Sequence, residues 1–472
     1  MKYMFILFKS LHYFYLFDGN VNKILRINEK TFQALRQVVD ESINEENTSI
    51  LLRLQQLGFC KESNVKTIKH PETDFLSSYF DNMLGGLTLQ VTQSCNLRCS
   101  YCPYSSSLYN NRNHNSRSMS FKLACKAIDY YLLHSRNTKR LRIGFYGGEP
   151  LLELALIKKV VSYIKYNYPN KKISYLITTN GTLLYGDAVD FLIDNEFSIT
   201  VSLDGPEHYH NQNRSFSNGT GSFKIIKKNL MYIKEYYPEY YSTITFNSVI
   251  IPDINYDIYS EFFSMQDFTK DNVYMLATMS PNYTDEKIVY PRDYYLSGAH
   301  QRFSGMLWSI GAIQSNNISD LTKRWIDVIV EKQREIQNMG TLSHESHPGG
   351  PCIPGKDKLF VDVNGDFYPC ERVSEKSSIM KMGNVYNGVD IEKVETLVNI
   401  AKCSENTCIS CWCFSFCTLC AAYVDDLSPQ PSATMRLSNC HEVKSVFLDT
   451  LKDICFLSEN NYDFQKRILQ YE

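Results

Sequence analysis

Short apolar runs followed by amphipathic stretches mark the first part of the chain. Three apolar and aromatic runs, with a turn at Asp18-Gly19-Asn20 between the last two, predict three short strands in a meander. Two stretches with apolar residues at helical spacing follow, and Asn28 is placed to cap the first. We therefore predict a winged-helix-like α+β module over 1–80, of which 61–80 is polar and is expected to be a linker. The strands are expected at 3–9, 12–17 and 21–27, and the helices at 28–40 and 47–57.

From residue 87 the pattern changes to a strand, a loop and a helix, repeated. This alternation predicts an α/β fold with a parallel sheet, here a partial (β/α)6 TIM-like barrel over 86–300. In such a barrel the chemistry lies in the loops after the carboxyl ends of the strands. The strands are expected at 87–92, 141–146, 173–179, 197–203, 243–250 and 272–278, and helices near 120–135, 152–167, 187–195 and 222–236.

The last third of the chain changes in character twice. Residues 301–348 carry helical stretches and are expected to form a helical bridge between domains. The following segment, 349–441, is rich in glycine, turns and cysteine and poor in long helices, so we expect a domain organised around metal rather than a large apolar core. Residues 442–472 are predicted to form a C-terminal helix and a polar tail.

Composition narrows the class of protein. Hydrophobic residues make up 43% of the chain and charged residues 21%, the proportions of a folded globular protein. Neither the net charge of -2 nor any Lys/Arg run indicates a nucleic-acid partner. Lys9, Ser10 and His12 interrupt the apolar N-terminus, which argues against a signal peptide or a membrane span. We expect a cytoplasmic protein, in which the 15 cysteines suit metal better than disulfides.

Three cysteines in the loop after the first barrel strand are the strongest candidates for chemistry. Cys95, Cys99 and Cys102, called the first trio below, have the spacing C-x3-C-x2-C. Three thiolates so close in sequence can hold one corner of a 4Fe-4S cluster and leave one iron open to a cofactor or substrate. The alternative is a structural zinc site, which needs a fourth ligand, and no further Cys or His occurs before His114.

The order of four motifs identifies a family. CNLRCSYC at 95–102, GGEP at 147–150, TTNG at 178–181 and SLDGP at 202–206 follow successive predicted strands. This set resembles the radical S-adenosylmethionine superfamily, in particular members with a cysteine-rich C-terminal SPASM domain. The resemblance implies that the first trio holds a catalytic 4Fe-4S cluster, whose open iron binds the amino and carboxylate groups of S-adenosylmethionine. The products are methionine and a 5'-deoxyadenosyl radical, which abstracts a hydrogen atom from the substrate.

The resemblance also implies which residues contact S-adenosylmethionine. Glycines in the GGEP motif lack a Cβ atom, so their backbone can approach the methionine amino group, although a simple turn is the alternative. An arginine suits the carboxylate because its planar fork can donate two hydrogen bonds. Asn-Gly is an ordinary turn signal as well as a candidate contact. The candidates are Tyr101 near the adenine, Gly147, Gly148 and Glu149 near the amino group, Asn180, Ser202 near the ribose and Arg214 near the carboxylate.

The C-terminal cysteines form two further sets. Their spacing, C-x(9-15)-G-x4-C, then C-x2-C-x5-C-x2-C and one last cysteine, resembles the seven-cysteine SPASM signature. The chain departs from this signature at Cys417 and Cys420, the last pair of the central run. They are spaced C-x2-C, whereas relatives usually have C-x3-C there. By position, the resemblance implies two auxiliary 4Fe-4S clusters. One uses a quartet, Cys408, Cys411, Cys417 and Cys440, and the other a second trio, Cys352, Cys370 and Cys420.

The second trio leaves one position of its cluster without a protein thiolate. Either that iron is open, to take a substrate thiolate, or His344 or His347 completes the site. If the assignment of cysteines to the signature shifts by one cysteine, Cys403 or Cys413 replaces one of the ligands named above. For the whole cysteine-rich region, structural zinc sites are the alternative to iron–sulfur clusters. The isolated cysteines, interpreted as core residues, are Cys60, Cys125 and Cys455.

The N-terminal module indicates the kind of substrate. A small strand-rich winged module ahead of such a core resembles the recognition element of maturases that modify ribosomally made precursor peptides. An exposed sheet edge can bind an extended leader peptide as an added strand, and the alternative is a structural domain without a ligand. We predict a radical S-adenosylmethionine oxidoreductase that cross-links a precursor peptide, with a thioether from a Cys sulfur to carbon as the first expectation. A ferredoxin or flavodoxin is expected as the electron donor.

Other functions share part of these motifs. A carbon–carbon or carbon–oxygen cross-link, or an epimerisation, would use the same core. A formylglycine-generating, sulfatase-maturing enzyme shares the core and the SPASM domain but lacks the extra N-terminal module, so the leading residues argue against it. A non-enzymatic iron–sulfur carrier or zinc scaffold would not need the ordered loops. The sequence does not identify the acceptor residue, an acid or base, or the oligomeric state.

Overall fold

The computed structural model describes most of the chain. Its described residues are 3–42, 44–105, 108–252, 255–279, 282–284, 286–314, 318–349 and 352–465. They form an eight-stranded sheet, a three-stranded sheet and two small two-stranded sheets, with helices packed around them. Within these residues, no helix combines the length and the apolar character that crossing a lipid bilayer requires.

The N-terminal residues form the predicted antiparallel meander and two helices. The elements are β1 (Phe5–Lys9), β2 (Phe14–Asp18), β3 (Lys23–Ile27), α1 (Glu29–Val39) and α2 (Glu45–Gln56). The strands pair in the order β1-β2-β3. Because side chains alternate along a strand, Leu16 of β2 packs towards the two helices, whereas Tyr15 and Phe17 pack against the C-terminal region. The Asn28 side chain accepts the N–H of Thr31 (2.8 Å) and caps α1 as predicted.

The segment predicted to be a linker, 61–80, is instead built into the fold. Thr67–Ile68 forms β4, which pairs in parallel with a short strand at Glu345–Ser346. Leu76–Asn82 forms α3, and its residues Leu76 and Phe80 are buried in the main core. These two apolar side chains are four positions apart, so they share one helix face, and the polar neighbours cover the exposed side. The linker prediction was therefore wrong for the second half of this segment.

The main sheet contains the six predicted parallel strands. They are β5 (Leu87–Thr92), β6 (Leu141–Gly147), β7 (Ile173–Thr179), β8 (Ser198–Ser202), β9 (Thr245–Ile250) and β10 (Val273–Thr278). Each strand pairs in parallel with the next strand of the chain. In the described part of the chain β10 has no strand on its outer side, so the sheet is open there, as in a partial barrel. Apolar side chains of these strands and the surrounding helices form one large core.

The helices between the strands include the four that the sequence predicts. These are α4 (Phe121–Leu133), α5 (Leu154–Asn167), α6 (Asp187–Asp194) and α8 (Phe223–Tyr236). Three more helices follow the later strands without having been predicted, because they are short or carry aromatic residues on several sides. They are α7 (Glu207–Asn213), α9 (Pro238–Tyr241) and α10 (Tyr256–Met265).

The C-terminal third begins with two long helices and continues with short elements. The helices are α11 (Arg292–Ser309) and α12 (Asp320–Asn338), followed by β11 (Glu345–Ser346). The cysteine-rich part has β12 (Leu359–Val361), β13 (Phe367–Tyr368), β14 (Gly383–Asn384), β15 (Gly388–Val389), α13 (Ile391–Val398), α14 (Glu405–Cys408), α15 (Ala433–Ser438) and α16 (Cys440–Glu459). The β12–β13 hairpin joins the main sheet, because β12 pairs in parallel with β5. The cysteine-rich region therefore extends the barrel sheet at the strand that precedes the first trio.

The N-terminal module packs on the cysteine-rich region rather than on the barrel helices. The Phe17 ring lies 6.5 Å from Trp412, 6.1 Å from Phe416 and 5.4 Å from Phe447 between ring centres. At Gly19 a Cβ atom would stand 2.2 Å from the carbonyl oxygen of Trp412, so only glycine permits this approach. Trp412 lies between two cysteines in sequence. The module is thus in direct contact with the backbone that carries part of the quartet.

Candidate active site

One cavity of about 690 Å³ opens at the carboxyl ends of the barrel strands. Both trios of cysteines line it, the first from the loop after β5 and the second from the cysteine-rich region. The ends of the other strands complete the wall, as the topology of parallel strands requires. The candidate cofactor residues that line it are Tyr101, Gly147, Gly148, Asn180, Ser202 and Arg214.

The loop that carries the first trio is tied down by its own backbone and by the loop after β8. The N–H of Arg98 donates to the carbonyl of Ser215 (2.8 Å), and the N–H of Cys102 donates to the carbonyl of Cys99 (3.1 Å). Burial raises the pKa of Cys95 to about 11 and that of Cys99 to about 12. Thiolates at these positions therefore need a positive charge beside them, which iron would supply.

The spacing of the thiols fits a cluster better than a single ion. Among the described residues, no three His, Cys, Asp or Glu side chains are close enough together to hold one metal ion. A cluster of several irons and sulfides keeps its cysteine ligands farther apart, because each thiolate binds a different iron. The first trio, half-buried at the cavity wall, is compatible with such a cluster, and all 15 cysteines of the chain are free thiols.

The two glycines after β6 let its loop pack against the first-trio loop. At Gly147, whose φ is +149°, a Cβ atom would stand 2.1 Å from the carbonyl oxygen of Thr92, and at Gly148 2.1 Å from that of Ser94. The N–H of Gly148 donates to Thr92 (3.0 Å), so this amide already has an acceptor. Both glycines line the cavity, so their backbone is accessible to a cofactor bound there.

Glu149 does not line the cavity. Its carboxylate is fully buried beneath the loops and accepts the Thr179 hydroxyl (2.7 Å) and the backbone N–H groups of Leu151 (3.1 Å) and Asn180 (2.7 Å). Burial raises the pKa of Glu149 to about 7. The side chain therefore joins the loops after β6 and β7, and its contact with S-adenosylmethionine stays a prediction.

Asn180 and Ser202 reach the cavity from the ends of β7 and β8. The Asn180 amide donates to the Asn96 side chain (2.8 Å) and lies 4.0 Å from the Cys95 sulfur. Its carbonyl oxygen accepts the Thr182 N–H (3.0 Å), which is the Asn-Gly turn of the alternative interpretation. The residue thus forms a turn and contacts the first-trio loop at the same time.

Arg214 is held in place by a carboxylate that the sequence analysis did not single out. Its Nε donates to Asp204 Oδ2 (2.7 Å), and the Tyr101 hydroxyl donates to the same carboxylate. The guanidinium lies 5.4 Å from the centre of the Tyr101 ring and 4.0 Å from the Cys99 sulfur. Asp204 belongs to the SLDGP motif, which was the available signal. Asp204 accepts a hydrogen bond from Nε of Arg214 only. The remaining N–H groups of the guanidinium can therefore donate to an anion in the cavity.

The second trio lies across the cavity from these residues. Burial, with smaller contributions from the Glu371 carboxylate and the thiols of Cys352 and Cys420, raises the pKa of Cys370 to about 12. Glu371 and Arg372, which the sequence analysis did not select, line the same wall. The two trios, far apart in sequence, therefore share one space.

Neither histidine proposed for the second trio is among the residues that line the cavity. The His347 ring lies 5.4 Å from the His70 ring, and its Nδ1 is 2.6 Å from the carbonyl oxygen of Pro348. Burial lowers the pKa of His347 to about 4, so the ring is neutral. The structure thus gives no support to a histidine ligand at this site.

The quartet forms a separate cluster of thiols beside α15 and α16. Cys408 ends α14 and is buried, Cys440 begins α16, and burial together with the neighbouring Cys408 and Cys417 thiols raises the pKa of Cys411 and Cys440. The Arg436 guanidinium reaches the Cys417 sulfur at 3.6 Å. Of the two cysteines named for a slipped register, Cys413 is buried in the apolar core beside Phe17, whereas Cys403 lines a small surface cavity. Cys60 and Cys455 are buried in apolar clusters, and Cys125 is partly exposed.

Comparison with known proteins identifies the family. The model of the radical SAM superfamily matches residues 89–265. The cysteine-type anaerobic sulfatase-maturating enzyme of Clostridium novyi is 33% identical over 296 residues, which cover 61% of this chain and 73% of that enzyme. The chain belongs to the radical SAM superfamily. With its cysteine-rich C-terminus it is a SPASM-type maturase, an enzyme that uses S-adenosylmethionine, a catalytic 4Fe-4S cluster and auxiliary 4Fe-4S clusters.

Three further proteins are similar to this chain, and each similarity covers a different share of it. An uncharacterized protein of Methanocaldococcus jannaschii is 39% identical over 150 residues, 32% of this chain, which spans about half (49%) of that relative. The radical SAM cyclopropyl synthase TigE of Paramaledivibacter caminithermalis is 23% identical over 436 residues, 86% of this chain and 84% of that protein. The solved structure of native anSMEcpe with bound AdoMet and Kp18Cys peptide covers 78% of this chain and 98% of its own, with 22% identity and a TM-score of 0.56. This last similarity establishes the fold.

Proposed function

We propose that this SPASM-type maturase cross-links a ribosomally made precursor peptide by forming a thioether between a Cys sulfur and a carbon atom. The observation that carries the proposal is the shared cavity, of about 690 Å³, which both cysteine trios line. A substrate residue in that space is within reach of both sets of thiolates. Tyr104, Tyr146 and Tyr283 give the wall an aromatic surface suited to peptide side chains.

In the proposed site the first trio holds the catalytic cluster. Bound there with S-adenosylmethionine, the cluster supplies a 5'-deoxyadenosyl radical. The chain's own residues bind and orient the cofactor: carbonyl oxygens near Gly147 and Gly148 accept from its amino group, and Arg214 donates to its carboxylate. Asp204 holds the Arg214 side chain in place.

The second trio is proposed to hold an auxiliary cluster with one iron free of protein thiolate. A substrate cysteine is the ligand that best fits such an iron, because iron of these clusters binds thiolates. The reaction removes a hydrogen atom from a substrate carbon, and the cysteine loses its proton. An auxiliary cluster bound there would supply the acceptor for the one electron that the substrate loses when the new S–C bond forms, so the peptide would lose two hydrogens in all. An external donor such as a ferredoxin or flavodoxin would provide the electron that starts the reaction.

We propose that the N-terminal module binds the leader of the precursor. Within the described residues β3 has no strand on its outer side, so a leader in extended conformation can add there as a fourth strand. A groove of about 530 Å³ between α1 and α2, lined by Val38, Leu51 and Leu52, offers an apolar site next to this sheet. The sheet packs on the cysteine-rich region, which keeps a bound leader attached near the cavity and raises the effective concentration of the core peptide.

Similarity over most of the chain supports a peptide or protein substrate. The anSMEcpe structure contains a bound peptide, and the alignment with TigE covers a larger share of this chain than the alignment with the Clostridium novyi enzyme. The second candidate function, sulfatase maturation, is favoured by the names of the clostridial relatives. It would convert Cys to formylglycine and lose the sulfur, whereas a cross-link keeps it. The N-terminal module argues for the first function.

Mass spectrometry of a co-expressed precursor tests the proposal. A short Cys-containing reading frame beside this gene would be expressed with the enzyme under anaerobic conditions, and its product should lose two hydrogens for each cross-link. The modified Cys should no longer react with iodoacetamide. The matched control is the enzyme with Cys95→Ala, which should return an unmodified peptide. A peptide of unchanged mass would refute cross-linking, and loss of sulfur from a sulfatase-derived peptide would establish formylglycine formation instead.

A further inference from the structure

The cysteine-rich region contains a charged side chain that is fully buried, that of Arg436. It lies on α15, and only 1% of its surface is exposed. Its Nη1 donates to the carbonyl of Leu419 (3.2 Å), its Nη2 reaches the sulfur of Cys417 (3.6 Å), and its Nε has no hydrogen-bond partner. Both hydrogen bonds of the guanidinium are therefore directed to the loop between Cys417 and Cys420.

The other buried arginines show what is unusual here. Arg214 pairs with Asp204 and Arg112 with Glu375, each at 2.7 Å, and all four side chains are at most 10% exposed. Among the described residues, no carboxylate forms a salt bridge with Arg436. A buried charge without a counter-charge is costly, so its counter-charge has to come from another group.

The quartet is the available counter-charge. Besides the contact with Cys417, the backbone carbonyl of Arg436 lies 3.8 Å from the sulfur of Cys440. Four thiolates around a 4Fe-4S core carry a net negative charge, which increases by one when the cluster accepts an electron. A loaded quartet would thus balance the Arg436 guanidinium in both redox states.

We infer that Arg436 sets the reduction potential of the auxiliary cluster that the quartet holds. The guanidinium favours the reduced state, because a nearby buried cation stabilises the more negative charge and its N–H donates to a ligand sulfur. The reduction takes up one electron from a donor and needs no proton. Arg436 is a positioning and tuning residue, without contact to the substrate cavity. The inference rests on the ligand assignment proposed above, and it does not depend on the peptide that the enzyme modifies.

A redox titration monitored by electron paramagnetic resonance tests the inference. The full chain, reconstituted anaerobically, would carry Cys95→Ala, Cys99→Ala and Cys102→Ala, so that only auxiliary clusters contribute signals. In this background Arg436→Gln should shift one cluster to a more negative potential and leave the other unchanged. Arg436→Lys should shift the same cluster less, because the ammonium keeps the charge and loses the second directed N–H.

Lys444 provides a matched control. It lies on α16, its charge acts on the Cys411, Cys417 and Cys440 thiols, and it is only partly buried. Water screens this charge, so Lys444→Gln should shift the potential less than Arg436→Gln does.

Iron content separates the ways in which the inference can fail. If Arg436→Gln and Arg436→Lys both bind their full iron and their reduction potentials are unchanged, the inference is refuted. If Arg436→Gln does not bind its full iron, an unchanged reduction potential in Arg436→Lys alone refutes it. A wild-type chain that binds only about four irons would refute the ligand assignment and the inference together, because no auxiliary cluster would be present. A chain that binds about twelve irons with an unmodified peptide would leave the role of Arg436 intact and refute only the cross-linking reaction.

Discussion

The barrel and the cysteine-rich region each bury an arginine beside a cysteine, and they balance its charge differently. In the barrel, Asp204 pairs with Arg214 within 3 Å, and its oxygens also bind Tyr101 and the N–H of Val249. In the cysteine-rich region, Arg436 faces sulfur atoms and a carbonyl. The polypeptide alone therefore balances the charge of Arg214, whereas Arg436 finds no carboxylate partner among the described residues. Long parallel strands support the first, and short elements support the second.

The largest effect is expected from the first trio itself. Cys99→Ala removes one of three ligands and should abolish 5'-deoxyadenosine formation, measured by liquid chromatography after anaerobic incubation with S-adenosylmethionine. The barrel should remain folded, because the loop is held by backbone hydrogen bonds that the substitution leaves in place. Cys125→Ala, on the outer face of α4, is the matched control and should keep the activity. Continued 5'-deoxyadenosine production by Cys99→Ala would contradict the assignment.

Removal of iron should separate the two regions. After chelation we expect amide hydrogen exchange to accelerate by about tenfold or more over 400–440, where short elements surround the quartet, because local stability there depends on the cluster. The strands between 87 and 179 should keep their protection, since their hydrogen bonds and core contacts involve no metal. Hydrogen-exchange mass spectrometry of the loaded and chelated chain gives the comparison. Equal acceleration in both regions would show that the barrel also depends on iron.

Loss of the Arg214 counter-charge should destabilise the barrel. Asp204→Asn leaves a buried guanidinium unpaired, which is expected to cost about 3–5 kcal/mol in the free energy of unfolding and to weaken binding of S-adenosylmethionine. Chemical denaturation and equilibrium dialysis measure the two effects. The control is Asp267→Asn, which breaks an exposed pair with Lys270 and should leave both unchanged. A variant as stable as the wild type would mean that Arg214 finds another partner.

The smallest effect is expected at the contact between α11 and α16. Burial raises the pKa of Asp453 to about 7, although Arg302 lies 3.3 Å away. The unfolded chain loses this proton at a lower pH than the folded chain does, so stability should fall as pH rises from about 4 to 7. Asp453→Asn should flatten that part of the pH profile of the thermal midpoint. Asp449→Asn, which removes the second and more exposed carboxylate beside Arg302, should keep most of that slope, and an unchanged profile for Asp453→Asn would disprove the titration.

Local patterns were enough to find much of this architecture. The six barrel strands, the meander and four helices follow from apolar periodicity, which each segment carries within itself. The prediction failed where local polarity concealed a buried face, as at Leu76 and Phe80 of α3. At Glu149 the structure adds a buried position beneath the loops, since a motif does not show which way a side chain turns.

The sequence by itself determined the strands, the spacing of each cysteine set and the family to which the chain belongs. These properties depend on neighbouring residues, so they can be read along the chain. Only the tertiary structure decided that Cys352, Cys370 and Cys420 face the first trio across one cavity, that Asp204 holds Arg214, and that Arg436 has sulfur for a counter-charge. Each depends on long-range packing, above all the pairing of β12 with β5, which joins distant parts of the chain and has no signature in either segment alone.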